Sequence, residues 1–319
     1  MKAIVHKLPS SFLDKIKKIY PSSYPKICES FLHKKEETFR INYLKTDLFR
    51  LREDLDREGI NHRELHWPKG SFILKSESKR LRKSRVYTKG DVYSQNVSSM
   101  MPPLVLSPKS GERILDLCAA PGAKTTQIAS LAGRGVELTA IESMQVRYQK
   151  LLATLSIQGA DFVKTRLCDG IAAGKDFPGY FDKVLLDAPC SCESLFYLRE
   201  PKSFGWWNEK KVKEMSRRQK ALISSAIRAL KEGGELVYST CAFSPEENEE
   251  VVDWALNKFA NISLIPIEIP ITNKIRGLTE WEGGRFSPGL SLTRRILPNE
   301  FMEGFFIAKF KKSAAALPR

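Results

Sequence analysis

The stretch Arg113-Ile114-Leu115-Asp116-Leu117-Cys118-Ala119-Ala120-Pro121-Gly122-Ala123-Lys124-Thr125-Thr126 constrains this chain more than any other. Its apolar run reads as a buried strand, its small residues and Gly122 as a tight loop, and Thr125 as the opening of a helix. Such a turn leaves the free N–H groups of the first helical turn open to a ligand. The alternation continues downstream. Strands are predicted over 136–141, 162–167, 181–186 and 235–239, and helices over 143–157, 210–231 and 246–259. Gly233-Gly234 reads as the stop of the long helix. Late strands fit 262–267 and 304–309. Repeated β-α units predict an α/β fold with a mostly parallel, doubly wound sheet and right-handed crossovers.

Upstream, 11–35 reads as short helices around Pro21 and Pro25, and 38–44 as a strand. Asp47 suits the cap of a helix over 48–58, and 63–74 is strand-like but broken at Pro68-Lys69-Gly70. Residues 1–90 are therefore expected to form a small basic N-terminal α/β domain, and residues 91–319 the main domain. The charge is uneven. The net is +15, and residues 1–90 alone hold 22 Lys and Arg against 11 Asp and Glu. That asymmetry points to a polyanion, most simply nucleic acid. Residues 75–89 concentrate it, which makes Lys79, Arg80, Arg82, Lys83 and Arg85 the candidate phosphate contacts. No run of 18 apolar residues suggests a membrane span. Residues 1–9 lack an apolar signal core, so a cytoplasmic protein is expected. Six cysteines form no paired C-x-x-C pattern, and Cys190-Ser191-Cys192 is too tight for a metal knuckle without partners. All four histidines fall within the first 66 residues, and no metal is expected.

Ligands of doubly wound sheets gather at the carboxyl ends of strands. Those ends carry Cys118, Ala119, Ala120, Pro121, Gly122, Ala123 and Lys124, then Glu142, Asp169 and Asp187, with Cys241 on a fifth strand. An acid at the second strand tip is where a ribose diol is gripped, and Asp169 can receive an adenine amino group. The first loop is not G-x-G-x-x-G, and G-x-x-x-x-G-K-[ST] is absent, so a nucleoside cofactor is favoured over a dinucleotide or P-loop nucleotide. Two more strand-end loops carry thiols, Asp187-Ala188-Pro189-Cys190 and Ser239-Thr240-Cys241. The ordinary fate of cysteine is a small buried residue. Two of them beside a nucleoside site in a basic chain favour chemistry.

These pieces resemble the RNA (cytosine-5) methyltransferases of the NOL1/NOP2/Sun family. The matching words are Asp116-Leu117-Cys118-Ala119-Ala120-Pro121-Gly122-Ala123-Lys124-Thr125, Asp187-Ala188-Pro189-Cys190-Ser191, and Ser239-Thr240-Cys241 followed by Pro245-Glu246-Glu247-Asn248-Glu249. Arg40-Ile41-Asn42, Tyr93-Ser94-Gln95 with Ser98-Ser99-Met100, and Gly304-Phe305-Phe306-Ile307-Ala308 are similar to other family segments, so the resemblance spans roughly 38–312. It implies a Rossmann-like class I methyltransferase sheet, S-adenosylmethionine as cofactor, and structured RNA as partner of a monomer. The wording is nearest to a bacterial group acting on 16S rRNA, with tRNA as the alternative substrate. It also implies roles. Residues 118–124, Glu142, Asp169 and Asp187 bind the cofactor, with a further contact from Arg147. Cys241 is the nucleophile, Cys190 assists product release, and Asp187 also holds the cytosine near N3. Lys124 is the guess for the charge that activates Cys241, and Phe196, Tyr197, Trp206 and Trp207 are candidates to stack RNA bases. The family commonly has Gly where this chain has Cys192, a position that suits an unusual backbone angle. A DNA cytosine-5 methyltransferase and a catalytically idle RNA-binding assembly factor are the competing readings.

Overall fold

The computed structural model describes residues 7–314, so the reading of the N-terminus, which rests on residues 1–9, falls largely outside the described residues. The N-terminal unit is an antiparallel sheet of β1 (Thr38–Ile41), β2 (His62–Glu64), β3 (Ser71–Leu74) and β4 (Val92–Ser94), in the order β2-β3-β1-β4. Asp47 caps the helix Leu48–Arg57 by accepting from the Arg50 N–H at 2.9 Å. Leu51 and Leu55 of that helix pack on Phe39, Phe72 and Leu74. The basic stretch folds into two short helices, Ser78–Lys83 and Arg85–Thr88, which Leu81 and Val86 pin to the same core. The fourth strand comes from residues beyond position 90 and pairs with β1. The first two helices, Ser10–Ile19 and Tyr24–Ser30, do not pack on this sheet. Phe12, Ile27 and Phe31 join Phe196, Trp207 and Phe243 of the main domain.

The main sheet takes β5 (Arg113–Asp116), β6 (Glu137–Glu142), β7 (Lys164–Leu167), β8 (Phe181–Asp187) and β9 (Leu230–Thr240) in the parallel order β9-β8-β5-β6-β7. The chain reverses direction across the sheet at β5, which is the switch point where ligands bind. Beyond β9 the sheet turns antiparallel through β10 (Ile262–Leu264), β11 (Lys274–Arg276), β14 (Arg294–Ile296) and β15 (Phe305–Lys312), while β12 (Glu280–Trp281) and β13 (Gly284–Arg285) form a separate hairpin. The central strands bury apolar side chains on both faces, as parallel sheets covered on both sides require. Among the described residues, no helix is long and apolar enough to cross a membrane.

One predicted stop is wrong. The long helix ends at Ala229, and β9 begins at Leu230, which pairs with Phe181. Gly233-Gly234 therefore lies inside the strand, at a register irregularity against β8, with Gly233 at φ +74°. The helix closes before the glycines because Lys312 Nζ takes its terminal carbonyls, Ile227 O at 2.9 Å and Leu230 O at 2.5 Å. A cation there also suits the helix dipole.

The N-terminal helices, the Cys241 loop and the antiparallel strands meet at one buried ion pair. Arg295 of β14 donates through Nε to Glu249 at 2.7 Å and pairs with it again through Nη2. Its Nη1 donates to Tyr20 Oη and to the Phe243 carbonyl, both at 2.7 Å. Both side chains are fully buried. Removing one partner strands the other's charge, so Arg295→Met is expected to cost about 3–5 kcal/mol in urea unfolding. Adding Glu249→Gln should recover part of that loss, and an additive double variant would refute the coupling.

Candidate active site at the switch of the sheet

The loop after β5 is shaped from beneath. The buried Asp116 accepts from Thr125 Oγ1 at 2.7 Å, and Gly122 N–H donates to Ala119 O at 2.8 Å. Gly122 sits at φ +109°, and a Cβ there would stand 2.9 Å from Thr154 Cγ2. Only glycine fits that left-handed close approach. The helix begins at Ala123, two residues before the position expected from the sequence.

Two cavities open on either side of this loop. The larger, about 560 Å³, is lined by Cys118, Ala120, Glu142, Arg147, Asp169 and Asp187, together with Met144, Met215 and Arg218. Glu142 is almost wholly buried there. Its Oε1 accepts the Met144 N–H at 2.9 Å, and its Oε2 lies 3.5 Å from Arg147, whose other arm holds Ala120 O at 2.6 Å. Asp169 caps the turn after β7 through the Ile171 N–H at 3.1 Å and meets Arg218 at 3.3 Å. The smaller cavity, about 340 Å³, is lined by Ser99, Ala119, Pro121, Ala123, Lys124 and Glu303, and shares Cys118, Ala120 and Asp187 with the first. Gly122 lines neither cavity and instead shapes the turn.

Asp187 stands between the two spaces with both oxygens engaged. Lys124 Nζ donates to Oδ2 at 2.6 Å and to Ser99 Oγ at 2.7 Å, and Ser239 Oγ donates to Oδ1 at 2.8 Å. Lys124 thus spends its charge on orienting Asp187 rather than on Cys241. Cys190 and Cys241 approach to 3.2 Å between sulfurs, while Cys192 Sγ lies 3.5 Å from Cys190 O. Hydrogen bonds from Cys190, then Cys241, lower Cys192 to about 3. The hydrogen bond with Cys192 pushes Cys190 up, and that with Cys190 pushes Cys241 up. The three thiols therefore titrate as one group. Cys192 has φ +51°, so the position does carry the backbone angle for which glycine is suited.

Buried carboxyls fix the thiol loops. Glu193 accepts from the N–H groups of Phe243 and Ser244 at 2.7 and 2.8 Å, from Ser244 Oγ at 2.5 Å and from Trp207 Nε1 at 2.9 Å. Glu247 accepts from Ser191 N–H and Gln219 Nε2, each at 2.9 Å, and hydrogen-bonds Ser191 Oγ. Burial, then the charge of Glu193, raises Glu247 to about 8. Asn248 receives Thr240 Oγ1 at 2.5 Å and donates to Ala242 O at 2.9 Å.

Phe196 and Trp207 are not base-stacking surfaces. Both are buried, with ring centres 4.9 and 5.4 Å from Phe12. Trp206 is exposed, and Tyr197 lines a third cavity of about 510 Å³ with Lys34, Lys35, Arg82 and Glu303. Lys79, Arg80, Arg82, Lys83 and Arg85 are all exposed on the N-terminal unit, though Arg80 folds back to Glu58 O at 3.3 Å. Sequence reasoning missed Met215 and Arg218. Met215 lies on the apolar face of the helix Glu209–Ala229, and Arg218 one turn on reaches the same cavity. It also missed Ser99, Glu193, Gln219 and Glu303, whose partners are distant in sequence.

A family described as "16S rRNA methyltransferase RsmB/F" matches residues 103–311. The tRNA (cytosine(49)-C(5))-methyltransferase of Pyrococcus abyssi is 38% identical over 307 residues, covering 93% of this chain and 97% of that protein. The human 28S rRNA (cytosine(4447)-C(5))-methyltransferase is 35% identical over 99% of this chain, which spans only 39% of that protein. A solved methyltransferase homologue from Pyrococcus horikoshii superposes with a TM-score of 0.85 at 30% identity, covering 98% of this chain and 99% of that one.

Burial pushes the Asp116 carboxyl up to about 6, against the Thr125 hydroxyl that lowers it, and its Oδ1 has no partner. A raised folded-state value favours folding below the unfolded value near 4, and that contribution is lost as pH rises through about 6. Asp116→Asn keeps an acceptor for Thr125 and cannot ionise. Its stability relative to the parent should improve by roughly 2 kcal/mol between pH 4 and pH 7. Urea midpoints across that range test this, and a constant gap would exclude Asp116 as the titrating group.

Proposed function

The chain belongs to the RsmB/F family of S-adenosylmethionine-dependent RNA cytosine-C5 methyltransferases, and we propose that it forms 5-methylcytosine in structured RNA with Cys241 as nucleophile. The observation that carries this reading is the meeting of Cys241 and Cys190 at 3.2 Å beside Asp187, from two loops far apart in sequence.

The larger cavity suits the cofactor. Glu142 keeps acceptor capacity for a diol, Asp169 faces the same space, and Met144, Met215 and Leu222 supply apolar wall. Its size lies within the range of small-molecule sites. Bound there, S-adenosylmethionine supplies an electrophilic methyl group. The chain's residues do the rest. Carbon 5 of cytosine is a poor nucleophile until a thiolate adds to carbon 6. Cys241 adds there as its thiolate; the thiol proton passes by way of Asp187 to N3, where it offsets the charge that develops, and returns by the same route when Cys241 departs. After methyl transfer a base near Cys190 takes the carbon-5 proton, and Cys241 departs as the double bond reforms. The target base must leave its stack to reach Cys241, which with Cys190 and Asp187 lines the larger cavity beside the cofactor space.

Among RNA targets, tRNA is favoured by the relative that matches along nearly all of both chains. The family description favours 16S rRNA as the second reading. Methylation of purified tRNA and of 16S rRNA, followed by bisulfite mapping, separates them.

Cys241→Ser is expected to lose tritiated methyl transfer by on the order of 1,000-fold or more and to form no adduct with 5-fluorocytosine RNA. Cys190→Ser should instead accumulate a covalent RNA adduct on denaturing gels. Adducts that persist in Cys241→Ser, or that form with DNA alone, would overturn the assignment. Binding should weaken with salt. Replacing Lys79, Arg82, Lys83 and Arg85 by Gln should reduce the slope of log K against log salt by about 0.7–0.9 for each phosphate no longer neutralised. An unchanged slope would place the RNA path elsewhere.

A further inference from the structure

The proposed reaction uses two thiols, yet the structure gathers three. The sulfurs of Cys190, Cys192 and Cys241 all lie within 4.8 Å of one another. Cys190-Ser191-Cys192 is too close-knit to hold a metal without a partner, and β9 delivers that partner in Cys241. Three thiolates around one cation with metal–sulfur bonds of about 2.3 Å stand roughly 4 Å apart, so small side-chain adjustments suffice. The loops are already fixed, the first by Glu247 on the Ser191 N–H at 2.9 Å and the second by Glu193 on the Phe243 N–H at 2.7 Å. Such support is what a preorganised ligand set needs. An all-sulfur donor set selects soft cations such as Zn²⁺, Cd²⁺ or Cu⁺ over Mg²⁺ and Ca²⁺.

We propose that Cys190, Cys192 and Cys241 form a tris-thiolate site for one thiophilic cation, and that its occupancy withdraws Cys241 from methyl transfer. The second half rests on the reading of Cys241 as nucleophile. Binding forms three metal–sulfur bonds and releases one proton to solvent from each thiol still protonated. No oxidant or reductant takes part. The fourth position of a tetrahedral ion is left to water.

Titration of the reduced full chain with Cd²⁺, followed by the ultraviolet sulfur-to-cadmium charge-transfer band, reads the site directly. One Cd²⁺ per chain with the intensity of three thiolates is expected, and Zn²⁺ should displace it. Cys192→Gly suits the left-handed backbone at that position, and Cys192→Ser gives a second variant of similar size. Each should weaken Cd²⁺ binding on the order of 100-fold or more, whereas Cys28→Ser, in a separate core, should not. Zn²⁺ should abolish methylation by the parent chain at concentrations that the Cys192→Gly variant withstands. Absence of the band, or equal affinity in the two Cys192 variants and the parent, would overturn the site and leave the methyltransferase reading standing. A full three-thiolate band with methylation undiminished would keep the site and overturn Cys241 as nucleophile.

Discussion

Four hydrogen bonds converge on the buried carboxylate of Glu193, and the geometry of the thiols depends on them. Glu193 follows Cys192 directly, while two of its donors, the N–H groups of Phe243 and Ser244, lie just past Cys241. One side chain therefore ties the loop after β8 to the loop after β9. A carboxylate buried without such donors would be too costly to keep. The aromatic cluster around it excludes the water that would compete. Phe12 of the first helix and Phe31 just past the second close over Phe196, Trp207 and Phe243. Those helices, though first in the chain, serve the catalytic loops rather than the N-terminal sheet.

Glu247 sits close enough to Glu193 that the charge of one opposes ionisation of the other. Burial disfavours the ionised form of Glu247 first, and the neighbouring charge of Glu193 adds to it. Glu247 is accordingly raised to about 8, so near neutral pH it is largely the protonated partner of Ser191 and Gln219. The Cys190 loop thus hangs from a neutral carboxyl on one side and a multiply bonded one on the other. Glu249, two residues on, spends its charge on Arg295 instead. Glu193, Glu247 and Glu249 thus have three separate tasks.

The alternating core was legible because strands buried on both faces and helices buried on one leave different apolar periods. β5, β6, β8 and the helix Glu209–Ala229 fall where those periods placed them, give or take a residue or two. The strand-end rule collected Glu142, Asp169 and Asp187 around one cavity without reference to packing. The rest depended on partners that no local pattern encodes. Gly233-Gly234 carries the signature of a helix stop, but Lys312, many residues later, caps the helix first. Phe196 and Trp207 look like stacking rings until Phe12 covers them. Arg40 of the Arg40-Ile41-Asn42 segment is buried, donating to Gln95 at 2.7 Å, Thr126 at 2.9 Å and Ala123 O at 3.0 Å, and so docks the N-terminal sheet on the helix that follows the first loop, a partnership that no local pattern announces.

The two thiols meet for a reason that lies in strand order. β8 and β9 are parallel neighbours, and Asp187 pairs in register with Ser239. Chains that leave adjacent parallel strands at the same level travel side by side, so Cys190 and Cys241 emerge abreast although 51 positions separate them. The same register sets Ser239 Oγ against Asp187 at 2.8 Å. A slip of one residue would turn the side chains of the strand to the opposite face and undo both pairings together. Placing β15 antiparallel outside β9 then fixes that register from the other edge, through pairs from Phe306 with Thr240 to Lys311 with Glu235. The last described strand of the chain is thus as much a part of the site's geometry as the loops that carry its sulfurs.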